Sequence, residues 1–337
     1  MVQESVTTVL GDVSPSDLGI TLMHEHVFCS LLSEYRGDGW LNDGAVAVTE
    51  LNRFREAGGQ TVVDLTLRGM GRRPEALRKV SEETGLHIIA GTGLYRHQYY
   101  DADWVDCHSA DDISAWMVQE LEEGIEGTGI RAGIIGEIGC DEYITAQEER
   151  VFRAAGRAHL RTGITVSTHA ARWPVGHMQL DVLEEEGVEP RRVVLGHCDT
   201  VTAPGWNSTK NAEEYYESLI RRGAFVSFDH FGAWASEYDD TRAIEHVVKI
   251  VDKGFAEHVI LSQDVCFRST LHAHGGNGYD YLLTDVVPRL REAGMSENTI
   301  RTILVDNPRR ALTGENPSIP RESPPSAAQG TTGVVTN

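Results

Sequence analysis

Eight times between residues 19 and 294, a short β-branched apolar run is followed by an amphipathic stretch of helical period that stops at a glycine. No other feature of the chain limits its fold as tightly, because strands that alternate with helices lie parallel and are covered on both faces. The apolar runs are 19–26, 60–65, 87–91, 132–137, 165–169, 192–197, 224–229 and 258–262. The helical patterns are 45–57, 74–84, 111–123, 146–162, 175–186, 212–222, 241–253 and 279–293. The glycines that follow them can take the left-handed conformation that stops a helix. Eight such units predict a single (β/α)8 barrel over residues 1–313. An open, doubly wound sheet would need a glycine-rich crevice motif after its first strand, and G-x-G-x-x-G is absent there. A last helical pattern, 297–304, leads into Asn307-Pro308-Arg309-Arg310. From Gly314 the composition turns to proline, serine, glycine and threonine, so 314–337 are expected to form a disordered tail.

Charge and cysteine usage narrow the partners and the compartment. The 337 residues include 51 acidic and 30 basic ones, a net charge of −21. Such a surface repels a phosphate backbone, which argues against nucleic acid as a partner. No apolar run is long enough to cross a bilayer, and Met1-Val2-Gln3-Glu4-Ser5 shows no basic region leading into an apolar one. Neither a membrane nor secretion is expected. The five cysteines form no C-x-x-C pair and are odd in number, which fits a reduced, cytoplasmic setting.

In a barrel of this kind the chemistry comes from the C-terminal ends of the strands. The first run closes on His24-Glu25-His26. Residues i and i+2 of a strand share a face, so the two imidazoles project together. The fourth run ends Ile135-Gly136-Glu137, the fifth Ser167-Thr168-His169, the sixth Leu195-Gly196-His197 and the eighth Leu261-Ser262-Gln263-Asp264. Four imidazoles and two carboxylates are therefore expected at one rim. Such donors suit zinc first, and manganese, cobalt or iron as well. Six ligands exceed one tetrahedral site but match two divalent cations bridged by a carboxylate and a hydroxide, leaving about one net positive charge to polarise a substrate oxygen. Taken singly, a buried His is more often a hydrogen-bonded core residue, Glu137 could pair with an arginine, and Asp264 could cap a helix. Five strand ends out of eight carrying a ligand-type residue weigh against coincidence. The other histidines lack this context. His87, His108, His159, His177, His246 and His258 read as surface or helix residues, whereas His97, His230, His272 and His274 fall on rim loops within reach of a pocket.

These motifs, together with Thr21-Leu22-Met23, Arg131-Ala132-Gly133-Ile134-Ile135 and the Cys198-Asp199 that follows His197, resemble those of the phosphotriesterase-related family of the amidohydrolase superfamily, over nearly all of 7–313. The resemblance implies that His24 and His26, with Asp264, bind a more buried cation, that His169 and His197 bind a second, and that a group on the fourth strand bridges both. It also implies a homodimer. One position departs from the phosphotriesterases and lactonases, which carry a carboxylated lysine directly after the Ala-Gly-Ile-Ile run. Here that slot is Gly136, and Glu137 follows. A step of one residue turns a side chain to the opposite face, so Glu137 can bridge only if the strand bulges, which Gly136 permits. Phosphotriesterase homology proteins share this pattern. Glu137 in place of the lysine makes efficient phosphotriester hydrolysis less expected.

The expected reaction is attack by the bridging hydroxide on a carboxylic ester or lactone of a small molecule. Asp264 would accept the hydroxide's proton and pass it to the leaving group. Hydrolysis of N-acyl amides ranks second, organophosphate triester cleavage third, and a catalytically silent metal-binding relative is the reading outside enzymes. No G-x-S-x-G nucleophile motif is present, and Cys198 is expected to pack away from the site. Substrate contacts are expected from Tyr95 after the third strand, Arg172 after the fifth, and Arg268 and His272 after the eighth, with Arg68 a weaker candidate. An arginine-bearing rim points to an anionic or strongly polar substrate.

Overall fold

The structure, a computed structural model, describes residues 2–202, 211–233 and 240–318. Eight parallel strands appear where the apolar runs lie: β1 (Thr21–Glu25), β2 (Thr61–Asp64), β3 (His87–Thr92), β4 (Ile134–Gly139), β5 (Val166–His169), β6 (Val193–Leu195), β7 (Phe225–Phe228) and β8 (Val259–Leu261). They pair in chain order from β1 to β8, forming a nearly closed (β/α)8 barrel wrapped in helices. The helices α1 (Gly44–Glu56), α2 (Pro74–Thr84), α3 (Ala110–Glu122), α4 (Ala146–Thr162), α5 (Gly176–Glu185), α6 (Ala212–Arg222), α7 (Asp240–Asp252) and α8 (Val287–Glu292) fill the outer layer. Gly85 and Gly163 stop α2 and α4 at φ +73, a conformation that a side chain resists.

Two apolar layers hold the barrel. Leu22, Val62 and Ile88 face the helices, whereas Met23, Val63, Ile89, Ile134, Val194 and Ile260 pack together inside. Leu18 and Leu312 join the inner layer. A filled interior leaves the strand ends as the place where polar groups can gather.

The seam between β1 and β8 is closed by a carboxylate. Glu25 accepts hydrogen bonds from Ser262 Oγ (2.7 Å), the Gln263 amide (2.8 Å) and the Val265 amide (2.9 Å). Ser262 Oγ also accepts from the His24 amide (2.9 Å). The residue between the two histidines is thus a strap. Burial pushes its carboxyl up to about 7, against three hydrogen bonds that favour the charged form.

Several elements carried no periodic signal. A hairpin of Val6–Thr8 and Gly11–Val13 precedes the barrel. Short strands Cys29–Ser30 and Trp40–Leu41 frame the helical turn Leu32–Tyr35, and Ala102–Cys107 adds a helix before α3. Two π turns, Leu282–Val286 and Thr302–Asp306, come just before Pro288 and Pro308. A proline ring crowds the carbonyl four residues back, and a wider turn relieves it. The final helical pattern therefore runs on through Pro308 to Thr313. Of the expected tail, only 314–318 fall within the described residues, and Ser318 donates to Glu257 at 2.7 Å. All five cysteines are free thiols, and Cys198 is buried with its thiol on the Leu195 carbonyl. Among the described residues no helix is long and apolar enough to cross a membrane.

Candidate metal centre

The step from Gly136 to Glu137 decides the geometry. The β4–β5 register shifts between Ile135 and Ile138, and Gly136 sits at φ +117. A Cβ there would run into the Ser167 carbonyl oxygen. Only glycine supplies this conformation and this close approach. The Glu137 carboxylate is thereby turned to the four imidazoles. Its Oε2 lies 3.1 Å from His24 Nε2, 2.8 Å from His169 Nδ1 and 3.5 Å from His197 Nε2. Its Oε1 lies 3.3 Å from His26 Nε2.

The other donors converge on the same point. Asp264 Oδ1 is 3.2 Å from His26 Nε2 and 3.9 Å from His24 Nε2. His169 Nδ1 and His197 Nε2 are 2.6 Å apart. His197 and Asp264 take positive φ (+58 and +49), rare for residues with a side chain and frequent where a site over-determines the backbone. The Asp264 amide, in turn, donates to the His24 carbonyl at 3.1 Å across the seam.

Each ring is oriented from behind. His26 Nδ1 meets Thr66 Oγ1 at 2.9 Å. His24 Nδ1 lies 3.2 Å and His197 Nδ1 2.8 Å from the two oxygens of Asp229, which also accepts from the His197 amide. Tyr95 OH lies 3.1 Å from His169 Nε2. The nitrogens left facing inward are Nε2 of His24, His26 and His197 and Nδ1 of His169.

This donor set fits cations. His24, His26 and Asp264 place ligand atoms within 4.8 Å of one another, as do His24, Glu137 and His197. His24 Nε2 is buried and close to Glu137, yet makes no aligned hydrogen bond. Burial pulls the His24 imidazole down, but Glu137 and Asp229 overcome it and hold its pKa at about 10. Burial acts likewise on His26, and Asp264 and Glu137 raise it. Burial drops His169 to about 4, despite the raising effect of Glu137. Burial opposes the charge of Glu137, but His24 and His169 keep its carboxyl well below the usual range. These carboxylates are neutralised by imidazoles, so the centre needs protons or metal cations to balance it.

Four further residues, Asp229, His230, Asp199 and Asp64, complete this centre without having been expected as ligands or orienters. Asp229, directly after β7, spans His24 and His197; as the acidic end of the seventh apolar run it could have been read with the others. Its reach depends on the tertiary arrangement. His230 packs edge-on against His197, ring centroids 4.5 Å apart, and places Nε2 3.6 Å from Asp264 Oδ2, and Asp199 lies 3.3 Å from its Nδ1. Asp64 accepts from the Val27 and Thr66 amides and so holds the segment after His26.

The remaining candidates lie in varied places. Arg172, at φ +77, donates its amide to Thr200 Oγ1 at 2.6 Å, and its charge partly offsets the burial that raises the Tyr35 phenol. Arg268 is exposed, meets His274 at 3.4 Å, and lines a separate cavity that no ligand candidate borders. His272 bonds Asp280 at 2.7 Å. Arg68 stacks on Trp104 at 4.3 Å, and His97 turns to Glu148.

A parallel barrel with histidines and carboxylates gathered at its strand ends defines a metal-dependent hydrolase. Residues 4–312 match the profile of the phosphotriesterase family. The chain belongs to that family, whose members depend on a binuclear metal centre. It is 38% identical over 293 residues to the phosphotriesterase homology protein of Escherichia coli K12, covering 86% of this chain and 96% of that one. It is 28% identical over 369 residues to the N-acetyltaurine hydrolase of Dictyostelium discoideum, covering 91% and 97%. The lactonase Lmo2620 of Listeria monocytogenes superposes with a TM-score of 0.83 at 27% identity, over 92% of this chain and 99% of that one.

Proposed function

We propose that this chain hydrolyses a carboxylic ester or lactone of a small, polar molecule, with His24, His26, Glu137, His169, His197 and Asp264 holding two divalent cations, zinc first among them. The observation that carries the reading is the position of Glu137, one carboxylate facing four imidazoles. When bound, the cations supply Lewis acidity, which acidifies the attacking water and polarises the carbonyl. The chain's own residues manage the protons. Asp264 accepts the proton of the attacking water. It then returns it to the leaving alkoxide or yields it to His230 Nε2, 3.6 Å away. Asp199, at His230 Nδ1, stabilises the imidazolium so formed. Tyr95 keeps His169 in the tautomer whose Nδ1 faces the centre.

Amide hydrolysis of an N-acyl compound is the second reading, favoured by the likeness to N-acetyltaurine hydrolase. Both readings use the same proton path, because an amine leaving group needs the proton that Asp264 holds. The test is to assay lactones, aryl esters and N-acyl amines on metal-loaded protein, with Asp264→Asn alongside. We expect turnover of one class, its loss in chelator, and a fall of about 10²- to 10⁴-fold in kcat for Asp264→Asn. Full activity in chelator, or in that variant, would overturn the assignment.

A further inference from the structure

A second cavity, of about 370 Å³, opens between Trp40–Ala47 and the loop after β8. Its volume falls in the range of roughly 300–1,000 Å³ typical of small-molecule sites. Its floor is apolar and buried: Val27, Leu41, Ala47, Leu271 and the ring of Tyr279. Its mouth holds Trp40, 45% exposed, together with Arg268 and His274. It backs onto the metal centre without entering it, because the Tyr279 hydroxyl donates to the His26 carbonyl at 2.8 Å.

The guanidinium is what makes this cavity a site. Acidic residues outnumber basic ones 51 to 30, and arginines such as Arg72, Arg96, Arg153, Arg157 and Arg222 each hold carboxylates. Arg268 does not: no carboxylate among the described residues pairs with it, and its one polar neighbour is His274 Nε2, at 3.4 Å. The acidic residue on the cavity wall, Asp43, is engaged in capping α1, accepting from the Ala45 and Val46 amides at 2.9 and 3.2 Å. A fixed cation at the mouth, an indole beside it and an apolar floor below are complementary to one kind of molecule. We infer that this cavity binds a small amphipathic carboxylate, its anionic head on Arg268 and its apolar or aromatic body against Trp40 and the floor. This site is independent of the hydrolytic reading.

The test is a titration of the full chain with 4-phenylbutyrate, once loaded with zinc and once stripped with EDTA and dialysed. We expect saturable binding of one equivalent in both states. Arg268→Gln should weaken it about tenfold or more, the scale of one lost charge-assisted hydrogen bond, and the neutral 4-phenylbutanol should bind more weakly by a similar factor. Arg268 is exposed, so the variant should fold, and an unchanged melting temperature would show it. The inference is overturned if no saturable binding occurs, if binding needs zinc (which would place the carboxylate on the metal centre), or if Arg268→Gln binds as well as the parent.

Discussion

At the scale of single residues, the centre is shaped as much by groups behind the ligands as by the ligands. Asp229 touches His24, His197 and the His197 amide, so one buried carboxylate sets the tautomer of a ring on each side of Glu137. Replacing it with Asn leaves size intact but lets the amide present a donor where both rings need an acceptor. Asp229→Asn should lower metal affinity by about 10- to 100-fold, read by competition with a chromogenic chelator. Gly136 is as constrained. Gly136→Ala places a methyl against the Ser167 carbonyl at a φ that costs roughly 1–3 kcal/mol on its own. It should lower stability by at least that in urea unfolding and weaken metal retention as well, because Glu137 cannot keep its place. A variant as stable and as metal-replete as the parent would remove the argument for the bulge.

At the scale of elements, the strand ends were legible because a strand's apolar run and the polar residue that closes it are neighbours in sequence. His24, His26, His169 and His197 needed no tertiary knowledge. The bulge in β4 could be stated only as a condition, since nothing local says whether a strand will spend a glycine on it. The hairpin at Val6–Val13 and the helix Ala102–Cys107 were invisible for a related reason: segments of three to six residues carry too few periods to be seen. A pH effect belongs at this scale too. His258, just before β8, is buried and its Nδ1 donates to the Ala224 carbonyl at 3.0 Å, tying β8 to the start of β7. Burial lowers its pKa below the ordinary 6.5. The unfolded chain then binds the proton more readily than the folded one. Its contribution is therefore present above 6.5 and lost as the pH falls below it. Between pH 7.5 and 5.5 the melting temperature of the parent should fall more steeply than that of His258→Gln. Parallel profiles would show that His258 does not titrate as described.

At the scale of the whole molecule, the proposed ligands come from β1, β4, β5, β6 and β8, so a bound pair of cations would tie together strands spread over most of the barrel. Only the folded state offers that set, so metal bound there should add to stability by linkage. At 100 times its dissociation constant a single cation should add about 2.7 kcal/mol, so stripping metal should lower the melting temperature and zinc should restore it. A melting curve indifferent to chelator would contradict the cluster's role. The barrel itself followed from the eightfold alternation, because period and parallel pairing are properties of short stretches and their order. The six side chains proposed as donors were read from the strand ends in the same way. Tertiary structure alone decided that Asp229 would span two imidazoles, that His230 would stand behind Asp264, and that Glu25, seated between two ligands, would seal β1 to β8 rather than join them. Each of these rests on groups brought together from about 30 to 240 positions apart, and the partner across such a gap is set by how the strands close, which no local pattern encodes.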